Sequence, residues 1–187
     1  MSARRSTSAR RGNVARDPER SRAAILDAAT VEFARCGLGG ARVDRIAARA
    51  GANKRMLYYY FGDKDALFRA ALEAAYAKIR ASEQALNLLD APPQEAIAAL
   101  VRFTFRYYIE HPEFITLLNS ANLHRARHIR GSRRARALNS PLIALIGTIL
   151  DRGERDKVFR GGVDPVQLYI SIAALGYFYL GNAHTLS

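Results

Sequence analysis

Apolar positions along this chain recur at three- and four-residue spacing, and no stretch of useful length alternates in the two-residue rhythm of a strand. Ile25, Leu26, Ala29, Phe33 and Cys36 form one helical stripe, Val43, Ile46, Ala47 and Ala50 a second, and Leu57 with Phe61 a third. Farther on, Ile97, Val101, Thr104 and Tyr108 share a face while Phe103 and Tyr107 lie on another, so that stretch is apolar on more than one side. The six prolines, Pro18, Pro92, Pro93, Pro112, Pro141 and Pro165, fall where helices start or end, positions at which a missing amide hydrogen does no harm. Asp17, Ser140 and Asp164 each set a capping side chain directly before a proline, and Asn53 and Asp63 offer caps of their own. The pattern predicts an all-α chain without internal repeats, with helices over 18–36, 43–50, 54–60, 64–88, 93–110, 112–121, 140–157 and 165–186.

The second and third of these helices carry the most information. They are short, hinged at Gly51, and able to share a core through Val43, Ile46, Ala47, Ala50, Leu57 and Phe61. What remains outside on the third is a crowd of cations and phenols: Lys54, Arg55, Tyr58, Tyr59 and Tyr60, followed by Lys64. Such side chains suit phosphate oxygens and base edges, which makes the pair a helix-turn-helix whose second helix enters a major groove.

The run I-A-x-x-A-G-x-x-K-x-x-L-Y-Y-Y-F-x-x-K, carried by Ile46, Ala47, Ala50, Gly51, Lys54, Leu57, Tyr58, Tyr59, Tyr60, Phe61 and Lys64, resembles the DNA-binding domain of the TetR family of transcriptional regulators. The likeness reaches upstream through Ile25 to Leu38 and downstream to Leu67 and Phe68. It implies that Lys54 and Arg55 meet bases, with guanine acceptors the natural target, that Tyr58 follows one turn later, and that Tyr59, Tyr60 and Lys64 hold phosphates. Tyr60 has a second reading, packed over the junction of the first and fourth helices. Two positions depart from the family pattern. Met56 stands where a small hydroxyl residue is usual, and Ala41-Arg42 replaces the threonine that commonly caps the second helix, a loss on the order of 0.5–2 kcal/mol. Arg42 restores affinity as a cation, with Arg45 and Arg49 either assisting it or forming a solvated face.

Charge agrees with a polyanionic partner. The 187 residues carry a formal net charge of +12, and 49% hydrophobic content is ample for a packed interior. Residues 1–64 hold 14 Lys and Arg against 6 Asp and Glu, so two thirds of the excess lies in the first third of the chain. Residues 1–16 contain five arginines, no acid and little apolar surface; they read as a disordered basic arm that either tracks phosphates and an adjacent minor groove or acts as a solubilising tail. The organisation expected is therefore an arm at 1–16, a helix-turn-helix domain at 17–64 and a helical body at 65–187.

By the same resemblance, the body is a regulatory and dimerisation domain with a ligand cavity, lacking the final helix that relatives generally have. Candidate lining residues are Phe103, Tyr107, Phe114, Leu118, Asn122, His124, Ile146, Tyr169, Ile172 and Tyr177, a set that favours a small apolar or aromatic effector. Aromatic residues at helical spacing are also ordinary core. The run from His124 to Arg136, with six arginines and two histidines, reads either as an anion site or as an exposed face. Residues 165–187 hold no charged side chain, and Leu168 to Leu180 is apolar on nearly every side. Gln167, Ser171, Asn182 and His184 favour a helix between a core and a partner subunit over a membrane anchor, and hence a homodimer.

Other chemistries find no support. Cys36 is single and sits on an apolar stripe, and no secretory pattern follows the N-terminus, so a cytoplasmic protein is expected. Gly37, Gly39 and Gly40 lack the lysine and hydroxyl of a phosphate loop; G-x-S-x-G, H-E-x-x-H and metal-ligand spacings are absent, and no cofactor is expected. The reading is a sequence-specific DNA-binding regulator that binds a double-stranded operator, most simply a repressor released by a small molecule. An architectural DNA binder with little sequence preference and a helical enzyme are the alternatives.

Overall fold

The computed structural model describes residues 17–125 and 133–186. The expected basic arm and most of the arginine run after His124 lie outside them. All regular structure among the described residues is helical: α1 (Pro18–Gly40), α2 (Val43–Arg49), α3 (Lys54–Phe61), α4 (Lys64–Gln84), a 3-10 turn at Leu88–Asp90, α5 (Pro93–Glu110), α6 (Pro112–Leu123), α7 (Arg133–Arg155), α8 (Pro165–Gly181) and α9 (Ala183–Leu186).

The caps follow from side chains adjacent in sequence. Asp17 accepts from the N–H of Glu19 at 3.1 Å, Asn53 from Met56 at 2.8 Å, Asp63 from Ala66 at 2.6 Å, and Asp164 from Val166 and Gln167 at 2.7 and 3.1 Å. Each satisfies amide hydrogens that a helix start leaves without a carbonyl partner. Several boundaries differ from those expected; the first helix, for one, runs on past 36 to Gly40 across a kink at Gly37. The fourth helix stops at Gln84, and Asn87 turns left-handed (φ 47°) into the 3-10 turn, which Arg152 of α7 clamps by donating to the carbonyls of Leu89 and Ala91 at 2.7 and 3.1 Å. The seventh begins at Arg133 and runs through Pro141, so here a proline marks no start; the helix continues through it with one amide donor fewer. The eighth ends at Gly181, where the Asn182 side chain folds back to donate to the Phe178 carbonyl at 2.8 Å before α9 begins.

Three apolar clusters organise the molecule. The first joins Ile25, Ala29 and Phe33 of α1, Ile46 of α2, Leu57 and Phe61 of α3, and Leu67, Phe68, Ala71 and Leu72 of α4 to Leu117 and Ala121 of α6. Phe33 and Phe68 meet edge to face at 5.1 Å in its centre. The second lies between α5, α7 and α8 around Leu100, Ile146, Ile149 and Ile172. The third gathers Ile79, Tyr107, Tyr108, Phe114 and Ile115 between α4, α5 and α6. Because α6 contributes to both the first and the third, the helix-turn-helix and the body are joined by packed side chains rather than by α4 alone.

Candidate nucleic-acid interface and ligand cleft

Helices α2 and α3 are set by a tight connection. Gly51 adopts a left-handed φ of 60°, and the turn closes through Gly51 N–H to the Ala48 carbonyl at 3.1 Å and Ala52 N–H to the Ala47 carbonyl at 2.9 Å. Burial of Leu57 and Phe61 fixes the roll of α3 and turns Lys54, Arg55, Tyr58 and Tyr59 outward; Tyr59 is 83% exposed. Tyr60 is half-buried against the first cluster, with its ring 5.2 Å from that of Tyr59, and Met56 is half-buried beside it. Packing therefore occupies much of both side chains.

Two cations of this surface, Lys54 and Lys64, are held in place. Lys54 Nζ lies 2.9 Å from Asp44 Oδ1 on α2, and the hydrogen bond and charge of that carboxylate hold the ammonium above the usual lysine range. Lys64 donates from Nζ to the Gly39 carbonyl at 3.3 Å. Arg42, exposed, has no side-chain cap of its own, but the buried carboxylate of Glu32 accepts from its backbone N–H at 3.2 Å and lies 3.9 Å from Arg45 and 3.8 Å from Arg35. A residue ten positions upstream thus anchors the backbone where α2 begins, while the first amides of that helix have no side-chain cap.

In the body, a cleft of about 260 Å³ opens between α4, α5, α6 and α8. Phe114, Leu118, Asn122, Tyr169 and Tyr177 line it, together with Tyr76, Tyr108, Ile170, Ala173 and Ala174. Tyr177 is fixed by donating to Asn119 Oδ1 and accepting from Asn122 at 3.4 Å. A roomier hollow of about 530 Å³ lies outside, between α1 and α6, but its walls, including Asp27, Thr30, Val31 and Glu113, hold no aromatic ring and only short apolar side chains. The smaller cleft has the wall chemistry of a small-molecule site.

Residues 25–71 match the model for bacterial regulatory proteins of the tetR family, and residues 93–187 match that for the tetracyclin repressor-like C-terminal domain. The chain is 40% identical over 173 residues to the HTH-type transcriptional repressor NicS of Pseudomonas putida, covering 92% of this chain and 82% of that protein. The chain belongs to the TetR family. It is also 42% identical over 106 residues to the HTH-type transcriptional repressor SCO4008 of Streptomyces coelicolor, covering 56% of this chain and 50% of that one. Its fold matches that of the fatty acid degradation regulator FadR of Bacillus halodurans with a TM-score of 0.69 at 15% identity, over 87% of this chain and 85% of the other. As a TetR-family protein it is a DNA-binding transcriptional regulator, and no described helix is long and apolar enough to cross a membrane.

Within this TetR fold, α3 brings Lys54, Arg55, Tyr58 and Tyr59 to one outer surface, with Lys64 and Arg42 flanking it. Of the ten residues expected around a ligand, five line the cleft. Phe103 and Tyr107 pack in the third cluster, where the Tyr107 ring lies tilted 4.2 Å from that of His111; Ile146 and Ile172 belong to the second; His124 caps the end of α6. Helical periodicity places residues on a face without saying which neighbour that face meets. Tyr76 and Tyr108 also line the cleft, yet each sits on a stripe that reads equally well as core. Ala173 and Ala174 left a different signal, since two small residues amid the large ones of α8 make room.

Proposed function

We propose that this protein is an operator-binding repressor released by a small effector, acting as a homodimer in the cytoplasm, with Arg55, Lys54 and Tyr58 reading bases and Tyr59, Lys64 and Arg42 holding phosphates. The observation that carries the reading is the exposed cationic and phenolic face of α3, fixed in orientation by buried Leu57 and Phe61. NicS and SCO4008, both named transcriptional repressors, support the sign of regulation. Two α3 helices in a dimer would meet successive major grooves about 34–36 Å apart, or wider in proportion. A ligand in the α4–α8 cleft would alter that separation through α6, which lines the cleft with Phe114, Leu118 and Asn122 and packs on α1 with Leu117 and Ala121. The organisation that fits is a reader at 17–64 and a regulatory body at 65–187.

Fragments selected by the protein from genomic DNA supply the operator for the test. In competition with random duplex at fixed salt, Arg55→Ala is expected to lose about 1–3 kcal/mol of discrimination, while Lys64→Ala weakens operator and random duplex alike. Equal losses on both duplexes from both substitutions would favour the architectural reading and end the assignment of roles.

A further inference from the structure

Behind the aromatic wall of the cleft lies a cation that its apolar lining does not explain. Arg80, on α4, keeps only 7% of its surface exposed. It donates to Glu83 at 2.5 Å and to the Tyr169 hydroxyl at 2.9 Å, and its buried Nε has no acceptor. Since the Tyr169 oxygen accepts from Arg80, its own proton is available to another group, and no described residue takes it. The hydroxyls of Tyr76 and Tyr108, also in the lining, likewise have no acceptor among the described residues.

These phenols form one electrostatic group. Burial first, and then the neighbouring Tyr169, push Tyr76 up to about 12 and Tyr108 higher still, while Arg80 pulls both the other way. They remain protonated donors across the physiological range. Tyr177 is different, because Asn119 and Asn122 already satisfy it. No carboxylate lines the cleft. Glu83 is the anion that competes for Arg80, and burial holds its carboxyl up at about 7 against the pull of the guanidinium, which leaves the cation incompletely compensated near neutral pH.

Phenol donors without acceptors, backed by a buried guanidinium, make a receptor for an anionic acceptor, and charge-assisted hydrogen bonds of this kind are stronger than neutral ones. The volume, just below the usual range of about 300–1,000 Å³, restricts the occupant to a small molecule. We infer that the cleft binds a small organic carboxylate, its apolar body against Phe114 and Leu118 and its head group hydrogen-bonded to Tyr169 and the adjoining phenols, with Arg80 supplying positive charge through Tyr169. The inference rests on the reading of this cleft as the effector site.

Calorimetric titration of the full chain with two matched pairs, benzoate against benzamide and hexanoate against hexanamide, tests it. At least one acid is expected to bind roughly ten- to a hundred-fold tighter than its amide, the difference made by hydrogen bonds to a charged group. Tyr169→Phe, which removes a single oxygen, should erase most of that preference, and Glu83→Gln should tighten the acid alone, a gain that a purely structural role for Glu83 does not produce. Amides binding as well as acids would overturn the carboxylate while retaining the cleft as a ligand site. An acid preference untouched by either substitution would overturn the role of Arg80 and Tyr169. Failure of all four probes to bind would overturn both the cleft and its proposed ligand class.

Discussion

The hydroxyl of Ser120 on α6 accepts a hydrogen bond from the backbone N–H of Leu38 at 3.0 Å, joining residues 82 apart in sequence. Leu38 follows Gly37, whose φ of 63° interrupts α1, and Ser120 is itself buried. The bond pins the connection into the helix-turn-helix directly to a helix that lines the α4–α8 cleft. Ser120→Ala leaves that amide without its partner and is expected to cost about 1–3 kcal/mol in urea unfolding. If the α6 route carries the effector signal, the same variant also shows a smaller drop in operator affinity when effector binds. Unchanged stability would mean that water or a shifted side chain replaces the hydroxyl at no cost.

Asp44 restrains the reading surface. Its carboxylate holds Lys54 at 2.9 Å, although both side chains are more than half exposed, so the pair contributes little to folding. Its effect should instead appear in DNA binding, because a lysine that contacts a phosphate or base must first leave Asp44. Asp44→Asn is expected to raise operator affinity several-fold at low salt, and to raise it more than affinity for random duplex, because it frees a base-reading lysine. Unaltered affinity for operator and random duplex alike would show that Lys54 makes no contact with DNA that Asp44 restrains.

The fold was legible in the sequence where a local rule acts alone. The caps of Asp17, Asn53, Asp63 and Asp164 and the stripe Ile25, Ala29, Phe33 depend only on neighbours in the chain, and α2 and α3 lie within a residue of where the pattern puts them. Pro141 deceived because proline is tolerated at a helix start but does not compel one. The anchoring of Arg42 by Glu32 was invisible because the bond spans an interhelical turn that periodicity does not encode. The same limit divides the cleft residues: Tyr169 and Tyr177 face it while Ile172, on the same helix, turns to the second core, and choosing between those faces needs the positions of α4 and α7.

Helix α8 carries an uncovered apolar face. Leu175, Phe178 and Tyr179 are 72%, 63% and 57% exposed, and Phe105 and Ile109 extend the patch onto α5. Gly176 allows the two helices to approach, since a Cβ there would stand 3.0 Å from the Tyr108 ring. A contiguous patch of this kind signals an interface. Leu175→Glu combined with Phe178→Glu is expected to leave the monomer folded but to shift sedimentation equilibrium to single chains, and to lower operator affinity because only one half-site can then be engaged. A double variant that remains dimeric would exclude this face as the contact.

Glu83 sets a pH dependence whose sign is opposite to that of a surface salt bridge. Burial raises its folded-state value to about 7 from an ordinary 4.5, Arg80 offsetting only part of the penalty, and its charge in turn acts on Tyr107 and Tyr108 of α5. Between those two values the folded chain binds more protons at this site than the unfolded chain does. The contribution of Glu83 is therefore most favourable below about pH 4.5, declines as pH rises, and levels off above about 7, a fall on the order of a few kcal/mol. Glu83→Gln, which keeps an oxygen for Arg80 but does not ionise, should flatten that segment of the curve in thermal melts between pH 5 and 8. A wild-type slope over this interval that the substitution leaves unchanged would mean that the carboxylate of Glu83 is charged in the fold throughout, fully compensated by Arg80.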